Sequence, residues 1–446
     1  MKHGRLIAIG MLALAAPAWG GTVLTFEVTS HSEASKGFDA AKSKPVPADA
    51  HYQQTVTLSR DRLQIDEPDA LTSYDFKKTT VDRFNKLDKT YEEGSLYTVI
   101  GFNVAEFLNR MTLGKALAAG KIKDNPMSPA LIENLMSLAA PDSDTVIDHS
   151  LEGEATVYSW HGRRLMSVSQ KTRDLPADVM AQYLRFLRYE TGGHPQILSA
   201  IERGHGIPER LTIVRSNMVI ETRTLVLKDL EEQPDGALSL EGYKRETPQG
   251  EPFAILAHLS PAPAADLEAH AAVLRQERDA AATDGHIFDA LLANFAAMLA
   301  TGDGSESTPW LAAHKQQLSA DPNAQSLMVS LSPHDAASAK LAADTLEKLA
   351  QTSGPHGYVL NIFAANTHVA MNEPGKAIER FLAALAVDPS ITGAWVDLGT
   401  AYLHSYRTDA AWACWDAARS LRPTHYMLRV VDDAERKLRE DHPEFF

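Results

Sequence analysis

Four prolines divide the last third of the chain at almost equal intervals: Pro322, Pro355, Pro389 and Pro423 stand 33, 34 and 34 residues apart. A fixed period of this length marks stacked helical hairpins, each too small to bury its own apolar face and completed by its neighbours. Proline suits the boundary because it cannot continue a helix. The last interval is the most regular, with Trp395, Leu398, Gly399, Tyr402, Ala411, Trp415, Ala418 and Pro423 between Ala394 and its end. Small side chains at Gly399, Ala411 and Ala418 let two antiparallel helices approach closely, and Trp395, Tyr402 and Trp415 fill the groove around them.

Those eight positions resemble the tetratricopeptide repeat, a two-helix unit of about 34 residues. The resemblance implies clear repeats at 358–391 and 392–425, with a closing helix at 424–441. The first of these fits at Ala365, Ala377, Phe381 and Ala384 but has Asn361 in place of the tryptophan. Two degenerate units precede it, where Ala343, Ala350 and Pro355 fit while Glu347 occupies the aromatic position. His368 stands at a tyrosine position and reads as a packed side chain. By the family's pattern, Ile362, Phe363, Asn366, Asp397, Thr400 and His404 line the concave groove. Asn366 would hydrogen-bond an extended peptide, and Ile362 and Phe363 would accept an apolar side chain. The basic residues by which some members clamp a terminal carboxylate are missing. The competing expectation is a groove packed against the N-terminal domain or the closing helix.

Before the helical part, strands alternate with short helices. Tyr52, Gln54, Val56 and Leu58 share one face of a strand, and Leu63 and Ile65 follow a charged turn. Ser73 to Tyr91 reads as two strands around a polar turn at Asn85 to Lys89. Asn103 with Glu106 reads as a capping pair, and Ser128-Pro129 opens a second helix. A hairpin spans Ala155 to Ser169, and Pro176 begins a helix bearing Val179, Tyr183, Phe186 and Leu187. A further hairpin runs from Arg210 to Lys228 around Ser216-Asn217, and Leu238 to Tyr243 adds a last strand. This order, with the phrases DRLQIDEPDALTSYDFKKTTVDRFNKLDKTYEE, EGEATVYSWHGRRLMSVSQ and GIPERLTIV leading into TRTLVLKDLEE, resembles the LolA-like periplasmic lipoprotein carriers. That likeness implies a curved antiparallel sheet, a half-barrel, wrapping an apolar cavity closed by helices. Whether the cavity is filled by side chains or holds a ligand stays open. The expected fold class is therefore α+β: a LolA-like domain over 21–260, then an all-α solenoid of helical hairpins over 261–446, joined at the tract Pro261 to Ala264.

Lys2 and Arg5 precede the apolar run Leu6 to Ala16, and Ala18-Trp19-Gly20 supplies small residues for cleavage before Gly21. Residues 1–20 therefore read as a signal peptide, and the expected location is periplasmic or secreted. No later run reaches the roughly 18 apolar residues that span a bilayer. The single cysteine, Cys414, excludes an internal disulfide and a lipidated leader, and reads as a small core residue. The net charge is −15, and the part from Pro261 onward holds 24 acidic and 14 basic residues, leaving −5 before it. An acidic helical half is a poor match for nucleic acid.

Seventeen histidines invite a metal or catalytic reading. They are scattered, without HExxH or a pair three or four apart on a helix, and no cysteine accompanies them. GxSxG is absent, and Gly302-Asp303-Gly304-Ser305 lacks the lysine of a phosphate loop. Glu92-Glu93 and Glu231-Glu232 lie in polar surroundings unsuited to a catalytic dyad. No catalytic residue, metal or cofactor is expected. The expected role is a non-catalytic exported scaffold or adaptor that binds a protein or peptide through the helical groove. The alternatives are a carrier of lipid, lipoprotein or another apolar ligand in the N-terminal half-barrel, and a hydrolase built around His194 and His205.

Overall fold

The computed structural model of the chain describes residues 20–34, 45–122, 128–140, 143–216, 219–234, 238–259 and 264–446. The expected signal peptide (but for Gly20), the Asn217 turn residue and Pro261 to Pro263 lie outside them. The strands are β1 (Gly20–Ala34), β2 (Ala50–Leu58), β3 (Arg62–Asp66), β4 (Ala70–Asp75), β5 (Thr80–Asn85), β6 (Thr90–Ser95) and β7 (Asp148–Glu152). They continue with β8 (Ala155–Trp160), β9 (Arg163–Ser169), β10 (Thr172–Asp174), β11 (Gly206–Pro208), β12 (Arg210–Ser216), β13 (Val219–Pro234) and β14 (Lys244–Arg245). The early helices are α1 (Tyr97–Ala118), α2 (Pro129–Met136), α3 (Ala177–Glu190), α4 (Pro195–Arg203) and α5 (Phe253–Leu256). Then come α6 (Ala264–Thr283), α7 (Ile287–Thr301), α8 (Ser307–Ala313), α9 (Lys315–Ala320), α10 (Pro322–Ser330) and α11 (Ala336–Thr352). The last are α12 (Tyr358–Ala370), α13 (Pro374–Leu385), α14 (Thr392–His404), α15 (Thr408–Leu421) and α16 (Leu428–Asp441). The protein is thus mixed α+β, with a large N-terminal sheet and a C-terminal helical region. Among the described residues, no helix is long and apolar enough to cross a membrane.

Two compact units form. The first comprises the described parts of Met1–Lys78, Arg83–Lys89 and Ser128–Tyr243. Its antiparallel sheet runs β4-β3-β2-β1-β13-β12-β9-β8-β7. Alternation puts Leu24, Phe26 and Val28 of β1, Val56 and Leu58 of β2 and Leu211 and Ile213 of β12 into the core. Helix α3 covers that face with Met180, Tyr183, Leu184 and Leu187, an i, i+3, i+4, i+7 stripe. Phe186 stacks on Phe26 with ring centroids 6.0 Å apart. The segment from Ser73 to Tyr91 holds three strands rather than two, because Thr79 and Lys89 adopt φ of 58° and 56° and close separate tight turns. Leu238 to Tyr243 is not a strand; the pairing passes to Lys244–Arg245, which runs parallel to β6.

The second unit comprises Thr79–Asp82, the described part of Thr90–Met127 and Lys244–Phe446. Helix α1 therefore belongs with the C-terminal helices, and it begins at Tyr97, so Asn103 and Glu106 sit inside it. Its anchor is Gly101, where a Cβ would lie 2.4 Å from the Trp412 ring. From α10 to α15 each helix packs on its sequence neighbours. Gly399 permits the closest approach, since a Cβ there would lie 2.4 Å from Trp415 Nε1 and 2.9 Å from the Ala411 carbonyl. Trp395, Trp412 and Trp415 are fully enclosed, and Trp395 donates its indole N–H to the Pro389 carbonyl.

Candidate functional site

Helix α7 decides how much of the expected groove is free. Its sequence, IFDALLANFAAMLAT, is apolar on all sides, and Ala290, Leu291, Leu292, Ala293, Ala296 and Ala297 are buried. A helix of that composition belongs in an interior. It packs on α10, α12 and α14, the first helices of three successive hairpins. It starts beside Gly354, whose position faces Asp289, and ends at Gly302. Gly302 has φ 66°, and a Cβ there would fall 2.5 Å from His425 Nε2, so only glycine fits that crossing. α7 thus packs against both α12 and α14.

The six groove residues accordingly divide. Ile362 is buried, and Phe363 meets Phe295 of α7 edge-on at 5.3 Å. Phe363 thus packs against the chain's own helix α7, and Ile362 belongs to the same apolar core. Asn366 and His404 are exposed, while Asp397 and Thr400 are half-buried. Thr400 donates its hydroxyl to the Val396 carbonyl of its own helix at 3.1 Å. Burial pushes the Asp397 carboxyl up to about 6, against a hydrogen bond from Asn366 that favours its charged form. The two side chains thus bridge α12 and α14 on the uncovered part of the face.

A second feature lies between α11 and the α12–α13 turn. A cleft of about 610 Å³ is lined by Asp335, Ala339, Lys340, Asp344, Met371 and Lys376, among others, with His368 in its wall. Only 4% of His368 is exposed. Its Nδ1 lies 2.8 Å from Glu373 and its Nε2 3.0 Å from Glu347. The ring thus lies between two carboxylates, one at each nitrogen. Arg380 adds a 3.0 Å bond to Glu347, and Lys376 one of 3.0 Å to Glu373. Burial alone would raise the Glu347 carboxyl, but His368 and Arg380 outweigh it and hold it below its usual value. The arrangement ties α11, α12 and α13 together.

His194 and His205, the sequence's best candidates for chemistry, are not brought into a common site. His194 caps α4, where its Nδ1 accepts the Gln196 amide at 3.3 Å. Its Nε2 must then carry the proton donated to Glu133 at 2.9 Å. Glu133 is wholly buried, and burial raises its carboxyl, yet bonds from His194, Ser143, Thr145 and the Ala140 amide hold it below its usual value. The pair joins α2 to α4, with the His194 amide donating to Asn134 at 2.9 Å. His205 sits exposed in the following turn at φ 54°. Among the described residues, no group of three His, Cys, Asp or Glu side chains is placed to hold a metal.

Sequence reading missed a polar cluster on the sheet under α3. Arg223 of β13 reaches Glu190 and Glu67, and donates to Tyr52 Oη at 2.7 Å. Gln54, buried beside it, donates to Glu67 at 2.9 Å. Only the alternation of Tyr52 and Gln54 with Val56 hinted that polar side chains shared this face.

No protein-family model and no curated protein sequence matches the chain. Among solved structures, one described as "Lipid-protein interactions in lipovitellin" matches at 11% identity with a TM-score of 0.15. The match covers 95% of this chain and 54% of that one, so this chain spans about half its length. At that TM-score the likeness carries no argument about fold or function.

Proposed function

We propose that the protein is an exported, non-catalytic adaptor whose helical part is a short tetratricopeptide-type solenoid that holds a polypeptide segment. One observation carries the reading. Helix α7 packs on α12 and α14, while Asn366 and His404 stay exposed and Asp397 and Thr400 half-exposed on those same two helices. Asn366 and Asp397 offer amide and carboxylate groups to a main chain, and His404 stands free at the end of α14. Because Ile362 and Phe363 are already packed, the segment held is extended and polar rather than anchored by a large apolar side chain.

The carrier alternative would use the sheet unit, read as a LolA-like half-barrel. Helix α3 argues against it, since Tyr183, Phe186 and Leu187 occupy the sheet face. An apolar cargo would have to displace side chains whose burial is worth roughly 1.5–3 kcal/mol each. The hydrolase alternative has the least support, because the Glu133–His194 pair is enclosed and His205 lies apart.

The test is photo-crosslinking of the full chain in an envelope extract, with a benzophenone side chain at Asn366 or His404, and at Arg436 on the outer face of α16 as control. Adducts with the same polypeptide at the first two positions, absent at Arg436, support the reading. Equal labelling at all three overturns it, as does a lipid-sized mass in native mass spectrometry that survives Asn366→Ala with Asp397→Ala.

A further inference from the structure

Strand β7 ends the sheet of the first unit, and all five of its side chains, Asp148 to Glu152, are exposed. It pairs with β8 in unbroken antiparallel register, from Asp148 opposite Ser159 to Glu152 opposite Ala155. Among the described residues, no other backbone group bonds to residues 148–152. Natural sheets protect such an edge with lysine, proline, a bulge or a covering element. Here the strand is regular, DHSLE holds neither lysine nor proline, and two apolar side chains stand in water: Leu151 is 62% exposed and Val146, just before the strand, 72%.

Alternation puts His149 and Leu151 on one face, and Asp148, Ser150 and Glu152 on the other. The first face continues that of Tyr158 and Thr156, their partners on β8. The edge is acidic, with Asp144, Asp148, Glu152 and Glu154 along it, and only Glu152 is offset, by Arg164 at 2.6 Å. A second copy pairing antiparallel about Ser150 would set Asp148 opposite Glu152, and like charges directly opposed destabilise a sheet.

We infer that β7 is a docking edge for an extended segment of another protein in which basic residues alternate with apolar ones. The incoming strand adds to the sheet beside β7. Its main chain satisfies the open N–H and C=O groups, its basic residues face Asp148 and Glu152, and its apolar residues cover Leu151. This site is separate from the helical groove of the proposed function and does not depend on it.

The probe is a fluorescent blocked peptide, Gly-Lys-Val-Thr-Ile-Lys-Gly, with a counterpart carrying glutamate at both lysine positions. Titrated against the full chain, the lysine peptide saturates, and Asp148→Lys with Glu152→Lys weakens it by about tenfold or more. The glutamate peptide shows the reverse preference. Hydrogen exchange at residues 148–152 slows when the lysine peptide is bound. Asp397→Asn in the helical groove leaves the titration unchanged, so failure of one site is distinguishable from failure of the other. The proposal is overturned if the lysine peptide does not saturate by about 1 mM, if the charge swap does not exchange the preferences, or if protection maps outside β7. Concentration-dependent dimerisation abolished by Leu151→Lys also overturns it, because the edge then belongs to a second copy.

Discussion

Glu347 Oε1 and His368 Nε2 lie 3.0 Å apart, each at a position where the repeat pattern asks for an aromatic ring. A hydrogen-bonded contact thus joins α11 and α12, and Arg380 on α13 closes it from the other side. Removing Glu347 leaves the enclosed His368 Nε2 and the Arg380 guanidinium without this partner, which costs more than the contact itself contributes. Glu347→Phe alone is therefore expected to lower stability by about 1–3 kcal/mol. Adding His368→Tyr should recover a large part of that loss by restoring the aromatic pair. Urea denaturation of the two single variants and the double variant gives the coupling directly. Additive losses would mean that the pair acts as two independent side chains.

The approach of α14 to α15 depends on the missing side chain at Gly399, where a Cβ would fall 2.4 Å from Trp415 Nε1. Trp415 is enclosed and cannot retreat. Gly399→Ala is expected to cost on the order of 2–4 kcal/mol through overpacking. Gly375, in the first turn of α13, has open space where its Cβ would be. Gly375→Ala should be neutral or stabilise by about 0.5–1 kcal/mol, because only the helix propensity changes. Thermal unfolding of both variants settles the comparison, and an equal loss at both positions would contradict the close-packing account.

How much of this was legible in the sequence follows from where the determining contacts lie. Gly399, Ala411 and Trp415 are close in sequence and act on one another, so their spacing already described the tight pair. The turn at Asn85 to Lys89 was legible from its polar residues, but the one at Thr79 left no glycine to mark it, so two strands were read where three exist. Coverage of Phe363 was invisible because its partner on α7, Phe295, is about 70 residues earlier and announces only that it is buried somewhere. The same holds for Gly101, whose need for glycine is dictated by Trp412 more than 300 positions away. Glu347 looked like a degenerate repeat position until His368 was found against it. The sheet edge at β7 carries too few apolar residues for its alternation to register.

Cys414 offers a test of core integrity in the helical unit. It is the only cysteine, it is fully buried, and burial pushes its thiol well above the usual value. Both effects suppress the thiolate, which is the reacting form. The folded protein should therefore consume no Ellman reagent at pH 8, and the protein in guanidinium one equivalent per chain. In the Gly399→Ala variant, the rate of labelling under native conditions should rise with the loss of stability, because α15 carries the cysteine and must open to expose it. Rapid reaction of the native chain would show that α15 is not enclosed.

Asp397 gives the helical face a defined pH dependence. Its carboxyl titrates at about 6 when folded, against 3.8 as the ordinary value, because burial disfavours its charge. Below about pH 3 the group is largely neutral in both states and costs almost nothing. As the pH rises toward 6 the unfolded chain ionises first, so folding loses stability across this window, and above it the full penalty remains. The carboxylate is only half-buried, which limits the penalty to an order of 1–2 kcal/mol. Asp397→Asn keeps an acceptor for Asn366 and removes the charge. It is expected to raise stability at pH 7.5 by that amount and by almost nothing at pH 3, as read from the difference between variant and parent in urea titrations at each pH. Other titrating groups cancel in that difference. If the gain were the same at both pH values, burial of the Asp397 charge would not be its source.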